Sequence, residues 1–264
     1  WLPQAGVAPT PVTALLHAVA VVKYGPFAII RLTYYSFGTD FLRGTWAQYL
    51  LLGIVIFTIV YGCSMAVRET HIKRRLAFST ISNLSYILFG VLIMTPLGLA
   101  GALCHMVFHG VMKICSFFCA GAMITQAHAN FVHEIDGMAK RMPKIFAIFT
   151  VSALALMGVP GLCGFVSKWH LAKAAFASDN VLAVVGVGGL LVSALLTAIY
   201  MLSIVIRAYF PGNDFDYGKL HGEICDPDWR MLLPLSLFVV LMVVIGVYSA
   251  PFVAFFSSVA GGMI

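Results

Sequence analysis

Three side chains that can carry protons recur at helical spacing within one apolar stretch. His105, His109 and Lys113 occupy positions i, i+4 and i+8, which share one face of an α-helix and span about 12 Å at 1.5 Å per residue. Imidazole changes its protonation near neutral pH, and burial disfavours the charged form of an amine. The stripe therefore predicts a line of groups that pass protons through bridging water. A metal site at the histidine pair is the less favoured alternative, because no Asp, Glu or Cys is partnered with it.

A fourth titratable group follows a predicted helix break. The apolar run 145–176 is too long for one straight crossing, and it contains the segment Gly158–Gly161 with Pro160 at its centre. Proline removes a backbone donor and clashes with the preceding turn, and interrupted helices mark ion sites in transporters. We therefore interpret Lys168 as a proton gate beside the break, against the alternative of a structurally neutral proline kink. His170 is a weaker candidate because it faces away from Lys168.

The first apolar run carries a further lysine. Lys23 lies six positions after His17 and so on a different helix face. Lys23 is the stronger relay candidate, because a side chain at mid-helix cannot easily reach the membrane surface, and His17 is secondary. Hydroxyl groups of the third run, Ser82 among them, are further secondary candidates for a water path, although helix packing explains most such hydroxyls.

The acidic residues lie away from the lysines of the apolar runs. A charged side chain at mid-membrane costs about 2.5–3.5 kcal/mol even on the lenient insertion scale, and no acidic residue of the apolar runs offsets it. The ten acidic residues lie in loops or at the ends of runs, at Asp40, Glu69, Glu134, Asp136, Asp179, Asp214, Asp216, Glu223, Asp226 and Asp228.

The elements that must position these groups are membrane helices. The 264 residues are 61% hydrophobic and 10% charged, with a mean hydropathy of +0.97, whereas about a quarter of the residues in soluble domains are charged. The pattern predicts an all-α membrane protein of about seven transmembrane helices. The predicted runs are 11–32, 47–67, 77–94, 97–124, 145–176, 181–208 and 231–256.

Basic residues concentrate in three loops on one side of the predicted bundle. They lie near 68–75, 134–144 and 211–230, while the opposite loops carry little beyond Arg31 and Arg43. The positive-inside rule places the three basic loops in the cytoplasm and the chain in the inner (cytoplasmic) membrane. The same bias accounts for the net charge of +6, so nucleic acid is not an expected partner. The six cysteines form no CxxC pair and are predicted to be buried apolar residues. No cofactor is expected.

Several of these stretches resemble the antiporter-like proton-conducting membrane subunits. That family includes the large membrane-arm subunits of respiratory complex I, the two large subunits of Mrp-type cation/proton antiporters and membrane subunits of energy-converting hydrogenases. The matching stretches are Trp1–Ala5, Ala8–Ala18, Lys73–Ser82, His105–Lys113, Gly158–Pro160 and Phe165–Lys168.

The resemblance implies two inverted five-helix repeats, each with one broken helix. It implies a connecting helix at 1–32 with the connecting lysine Lys23, the second repeat at 47–210 and a terminal helix at 231–256. Within that repeat it makes Lys113 the central lysine, His105 and His109 the relay histidines, and Lys168 the residue of the broken helix near 158–165.

The chain begins at Trp1 and lacks the first repeat, so we expect a fragment whose other half is on a longer chain or another subunit. The expected function is proton translocation, with Na⁺/H⁺ antiport as a variant, inside a larger respiratory, hydrogenase or Mrp-type complex. A lysine soon after His17 favours the Mrp or hydrogenase branch. A scaffold subunit without an active ion path is the main alternative, and a solute transporter is a weaker one. Expected partners are other membrane subunits, protons or sodium ions, and the lipid bilayer. Catalysis by this chain alone is not expected.

Overall fold

The computed structural model describes residues 1–212 and 224–263, and the regular secondary structure of this part of the chain is helical, apart from one isolated β-bridge between His71 and Phe131. The α-helices are α1 Thr10–Ala18, α2 Val21–Arg31, α3 Thr39–Leu42, α4 Trp46–Arg68, α5 Ile72–Leu92, α6 Pro96–Ala127, α7 Pro143–Met157, α8 Cys163–Phe176, α9 Val181–Tyr209, α10 Trp229–Val247 and α11 Ser249–Gly261. A π-helical segment, Leu32–Phe37, extends α2, and short 3₁₀ turns occur at Gln4–Val7, Val132–Ile135 and Met138–Lys140.

Six helical stretches among the described residues are long and apolar enough to cross a membrane, and the predicted fifth run forms the shorter pair α7 and α8. The prediction of an all-α, multi-pass membrane protein is therefore confirmed. The six stretches are Thr10–Phe37, Trp46–Arg68, Ile72–Leu92, Pro96–Ala127, Val181–Tyr209 and Trp229–Val247.

The fifth run is interrupted around Pro160, as the sequence predicts. α7 ends at Met157, residues 158–162 are not helical, and α8 begins at Cys163. Gly158 and Gly161 both adopt positive φ, at 93° and 88°, in the region that glycine occupies without a Cβ clash. The chain thus turns between two half-helices within one crossing.

Two other predicted runs are also interrupted in the structure. The first separates into α1 and α2 at Val19–Ala20, although neither position is a Gly or Pro that would predict a break. The last separates at Tyr248 between α10 and α11. Pro251 explains the second break, because its ring would clash with the carbonyl of Val247 in a continuous helix.

α5 and α6 form the centre of the bundle. α6 packs against α1, α5, α7, α8, α10 and α11, while α4 and α9 flank α5. The helices from Trp46 to Tyr209 form five transmembrane elements, and their assignment to a second five-helix repeat stays a prediction. Its inverted relation to a first repeat stays a prediction.

The basic loops meet at one end of the bundle, which we call the basic end. The amide of Ile72 donates to Asn130 O, that of Val132 donates to Thr70 O, and that of Gly137 donates to Arg207 O. α5 begins earlier than predicted, so Lys73 and Arg75 are buried in its first turn and not in a loop. Of the third basic loop, Asp214, Asp216, Lys219 and Glu223 lie outside the described residues.

Candidate functional site

Lys113 lies fully buried in the middle of α6. Its Nζ donates to Leu76 O at 3.0 Å and to Ser79 Oγ at 2.8 Å, both on α5. The ring of Phe117 lies one turn further along α6, with its centroid 6.0 Å from Nζ. An uncharged hydroxyl and a backbone carbonyl therefore solvate this amine, and no carboxylate of residues 1–212 or 224–263 takes part.

The two histidines continue from Lys113 along the same face of α6, as the i, i+4, i+8 spacing predicts. The rings of His105 and His109 are stacked with centroids 5.9 Å apart and an interplanar angle of 26°. Both are fully buried, and His105 Nδ1 lies 2.9 Å from Ser167 Oγ on α8. His105 Nε2 and both ring nitrogens of His109 have no hydrogen-bond partner in the part of the chain that the structure describes. Buried polar atoms of this kind are normally satisfied by ordered water.

Lys168 on α8 reaches back across the helix break. Its Nζ donates to Leu156 O at 2.7 Å and Met157 O at 3.1 Å, two carbonyls of the last turn of α7 that the break leaves without helical partners. The C-terminus of a helix also carries partial negative charge. The break thus supplies the oxygen atoms and the electrostatic field that hold this ammonium inside the membrane.

Tyr86 of α5 joins Lys168 to the histidines. Lys168 Nζ lies 5.2 Å from the centroid of the Tyr86 ring, and that ring lies 5.3 Å from the imidazole of His105. The structure therefore places Lys168, His105, His109 and Lys113 in one row along α6, with Tyr86 between Lys168 and His105. Sequence reasoning missed Tyr86, because its position depends on how α5 packs against α6.

Lys23 approaches α6 from another side. Its Nζ donates to Met106 O, and a Cβ on Gly110 would lie 2.8 Å from the same nitrogen. The amine sits in a cleft of about 460 Å³ beside the break between α1 and α2, lined mainly by apolar groups such as Tyr24 and Phe27. Lys23 is therefore bonded to the backbone of the relay helix.

The secondary candidates take separate places. His17 is fully buried and stacked on Phe117 with 5.1 Å between ring centroids, and neither ring nitrogen has a protein partner. His170 is half-buried and bonds only within α8, through Nδ1 to Val166 O at 2.7 Å. Ser82 contacts none of the relay lysines or histidines and joins a separate group of hydroxyls. Of the three, His17 alone lies beside the row.

Ser82 was the only predicted member of that group of hydroxyls; its partners on α4 and α9 were not predicted. The group links α4, α5 and α9 through Cys63, Ser82, Ser193 and Thr197, with Cys63 Sγ 3.1 Å from Ser82 Oγ and 3.0 Å from Ser193 Oγ. Tyr200 OH donates to Ser79 Oγ at 2.6 Å and to Thr197 Oγ1 at 3.3 Å, and so connects the group to Lys113. The signal was present in the sequence, because Ser193, Thr197 and Tyr200 follow one another at i, i+4 and i+7 on one helix face.

Among the described residues, the site contains amines and imidazoles but no carboxylate. The ion pairs Arg207–Asp136 and Arg230–Asp228 lie at the surface of the basic end, away from the buried amines. Within residues 1–212 and 224–263, no group of three or more His, Cys, Asp or Glu side chains is placed to hold a metal ion. The arrangement can hold and pass protons among amines, imidazoles and hydroxyls.

Comparison with known proteins agrees with this geometry. The family model described as "NADH:quinone oxidoreductase/Mrp antiporter, TM" matches residues 1–197. The NAD(P)H-quinone oxidoreductase chain 4 of Acaryochloris marina (strain MBIC 11017) is 31% identical over 261 residues, which cover 94% of this chain and 46% of the relative. The chain thus spans about half the length of the curated relatives it matches.

Solved structures show the same fold. A chain of the membrane-bound sulfane sulfur reductase, an archaeal respiratory membrane complex, is similar with a TM-score of 0.86 and 26% identity over all of this chain and 51% of that one. A chain of the Mrp complex from Dietzia sp. DQ12-45-1b has a TM-score of 0.86 and 22% identity, covering all of this chain and 55% of that one, which shows the fold alone.

Proposed function

The chain belongs to the NADH:quinone oxidoreductase/Mrp antiporter transmembrane family, and from that premise we propose that it translocates protons along its buried lysines and histidines. The complex is of the respiratory, hydrogenase-linked or Mrp antiporter type, with Na⁺/H⁺ exchange as the variant reaction. The relay residues are Lys168, His105, His109 and Lys113, and Lys23 is the link towards the first five-helix repeat.

The observation that carries the proposal is the solvation of Lys113. Leu76 O and Ser79 Oγ accept hydrogen bonds from its ammonium, and the serine hydroxyl can instead donate to the lone pair of the neutral amine. Either protonation state therefore keeps a partner, and neither leaves a buried carboxylate unpaired, which would cost several kcal/mol. A proton can arrive at Lys113 and leave again towards His109 without a large rearrangement.

The surroundings of the protein follow from the same proposal. We place the chain in the inner (cytoplasmic) membrane with its basic end towards the cytoplasm, because Lys and Arg are enriched in cytoplasmic loops. Its partners are other membrane subunits, one of which, or a longer form of this chain, carries the first five-helix repeat.

The test is proton flux through the intact complex in liposomes, normalised to assembled complex. We expect Lys113→Ala to lower the flux about a hundredfold or more, since positioned proton-transfer groups contribute about 10²–10⁴-fold. Lys113→Arg should be equally inactive, because a guanidinium does not release its proton at accessible pH. The matched control is Lys173→Ala, which removes an exposed lysine of α8 and should leave the flux unchanged. Full flux in an assembled Lys113→Ala complex would instead support a scaffold subunit.

A further inference from the structure

A second polar line leaves Lys113 on the side away from the histidines. Ser79 Oγ accepts from Lys113 Nζ at 2.8 Å and from Tyr200 OH at 2.6 Å. All three residues are almost completely buried. Since Tyr200 donates to Ser79, and Ser79 can donate to a neutral Lys113 amine, the hydrogen bonds can all point inwards, towards the lysine.

The line leads to the basic end. Arg75 lies four residues before Ser79 on α5, about 6 Å nearer that end at 1.5 Å per residue. Its guanidinium donates to Tyr200 O at 3.0 Å and to Ser203 Oγ at 2.7 Å. This clamp fixes α9 against α5, so that the ring of Tyr200 stands opposite Ser79.

A cavity of about 220 Å³ opens at the level of this clamp. Arg75, Tyr200, Ser203 and the half-exposed Arg207 line it, together with Thr70 and His133 of the basic loops. One helical turn separates the arginine at this cavity from the Ser79–Tyr200 pair. Tyr200 itself lines the cavity and its hydroxyl donates to Ser79 Oγ, so Tyr200 is the residue that links the cavity to the pair.

The line also has a closed branch. Thr197, Cys63, Ser82 and Ser193 extend from Tyr200 into the bundle, but Ser82 donates to Ile59 O and Thr197 donates to Ser193 O of its own helix. The hydrogen-bond donors of these groups are thus paired within the branch or with nearby backbone carbonyls. The branch towards Arg75 is the one that meets the cavity.

We propose that Tyr200 and Ser79 form the proton access route between the basic-end cavity and Lys113. This inference rests on the proposed function and adds an access route to it. A proton from cavity water binds the Tyr200 oxygen as the Tyr200 hydroxyl proton passes to Ser79, and the Ser79 hydroxyl proton passes to the neutral Lys113 amine. Each hydroxyl ends with one proton, and Lys113 gains the one that entered. Arg75 is a positioning residue that holds Tyr200 in place.

The experiment measures proton flux through the intact complex in liposomes, driven by an imposed membrane potential and normalised to assembled complex. Tyr200→Phe and Ser79→Ala should each lower the flux about tenfold or more, because each removes one proton-transfer group. Ser79→Thr retains a hydroxyl and should restore most of the flux. The control is Tyr34→Phe, which deletes another buried tyrosine hydroxyl, one that donates to Val91 O away from the relay. It should behave as the unsubstituted protein.

The outcomes separate this inference from the proposed function. Unchanged flux in Tyr200→Phe and Ser79→Ala, with an inactive Lys113→Ala, would overturn the access route and leave the relay intact. Unchanged flux in all three would overturn the proposed function itself. If a variant fails to assemble, Ser203→Cys in a Cys225→Ser background provides the second test. An impermeant thiol reagent added at the basic end should block its flux, and unaltered flux after complete modification would contradict the route.

Discussion

At the residue scale, uncharged oxygen atoms hold the amines of the three lysines inside the bundle. Lys113 uses a carbonyl and a hydroxyl, Lys168 uses two carbonyls at a helix end, and Lys23 uses Met106 O. Ion pairing with a carboxylate would favour the charged form of each lysine strongly. Neutral acceptors stabilise the ammonium less, so the charged and neutral forms of each lysine differ less in free energy. This is the property that a proton relay requires.

His71 is a titratable group of a different kind, outside the membrane spans. It bridges to Phe131 and packs edge-on against that ring with 5.4 Å between centroids, and its Nδ1 has no protein partner. Partial burial lowers the pKa of His71, and the positive charges of Arg74 and Lys73 add to the effect, while Glu69 and Glu134 oppose it. The imidazole is therefore more easily protonated in the unfolded chain than in the folded one.

This predicts a loss of stability on acidification. Above the unfolded pKa of about 6.5, His71 is neutral in both states and the free energy of unfolding does not depend on it. As the pH falls below that value, the unfolded state takes up the proton first and the folded state loses stability. Thermal unfolding of the solubilised complex at pH 7.5 and 5.5 should show a smaller acid shift for His71→Gln. The exposed His133→Gln variant is the control, and an acid shift unaltered in His71→Gln would contradict the assignment.

At the element scale, the broken crossing α7–α8 depends on close backbone approach. A Cβ on Gly164 would fall inside van der Waals contact with Ala155 O, and a Cβ on Gly246 of α10 would collide with the backbone at Gly161 and Leu162. The two half-helices and α10 therefore pack with no room for a methyl group at these points. This contact sets the position of Lys168 relative to the carbonyls of α7.

Gly164→Ala should separate α8 from α7. We expect it to destabilise the protein by about 1–3 kcal/mol or more, as overpacking of a filled core does, and to lower the flux by moving Lys168 and Ser167. Gly188→Ala is the matched control, because a Cβ there meets no atom within 4 Å and alanine favours a helix over glycine. Thermal midpoints and flux of the two assembled variants provide the measurement. Equal thermal midpoints for Gly164→Ala and Gly188→Ala would contradict close packing between α7 and α8.

At the scale of the whole molecule, the polar groups extend over most of the bundle. Lys168 lies at the helix break, His105 and His109 lead to Lys113, and Ser79 and Tyr200 continue towards the cavity at the basic end. α5 and α6, the most enclosed spans, carry most of these groups. The half-length chain therefore holds a polar line of its own, apart from any contribution of the first repeat.

The orientation of the molecule can be tested with its own cysteine. Cys225 is exposed next to the basic end, whereas the other five cysteines are buried. An impermeant maleimide should label Cys225 in inside-out vesicles and not in intact cells, because the basic end is proposed to face the cytoplasm. Cys225→Ser should abolish the label. Asp179→Cys in that background places a thiol at the exposed opposite end and should reverse the pattern, and labelling of Cys225 in intact cells would contradict the orientation.

Much of the fold could be predicted because its signals are local. Hydropathy alone indicates which stretches cross the membrane, Pro160 with its glycines indicates the broken crossing, and the i, i+4, i+8 spacing places His105, His109 and Lys113 on one face. The break at Val19–Ala20 has no such signal. It was missed because neither residue disfavours a helix strongly.

The sequence by itself determined which residues can hold a proton and on which helix face they lie, since helical periodicity depends only on neighbours along the chain. The tertiary structure decided what each of them contacts. The carbonyls that hold Lys168, the contact between the rings of Tyr86 and His105, and the hydrogen bonds among Lys113, Ser79 and Tyr200 join residues up to 121 positions apart. Such contacts arise from the packing of whole helices, where the shape and volume of many side chains select one arrangement.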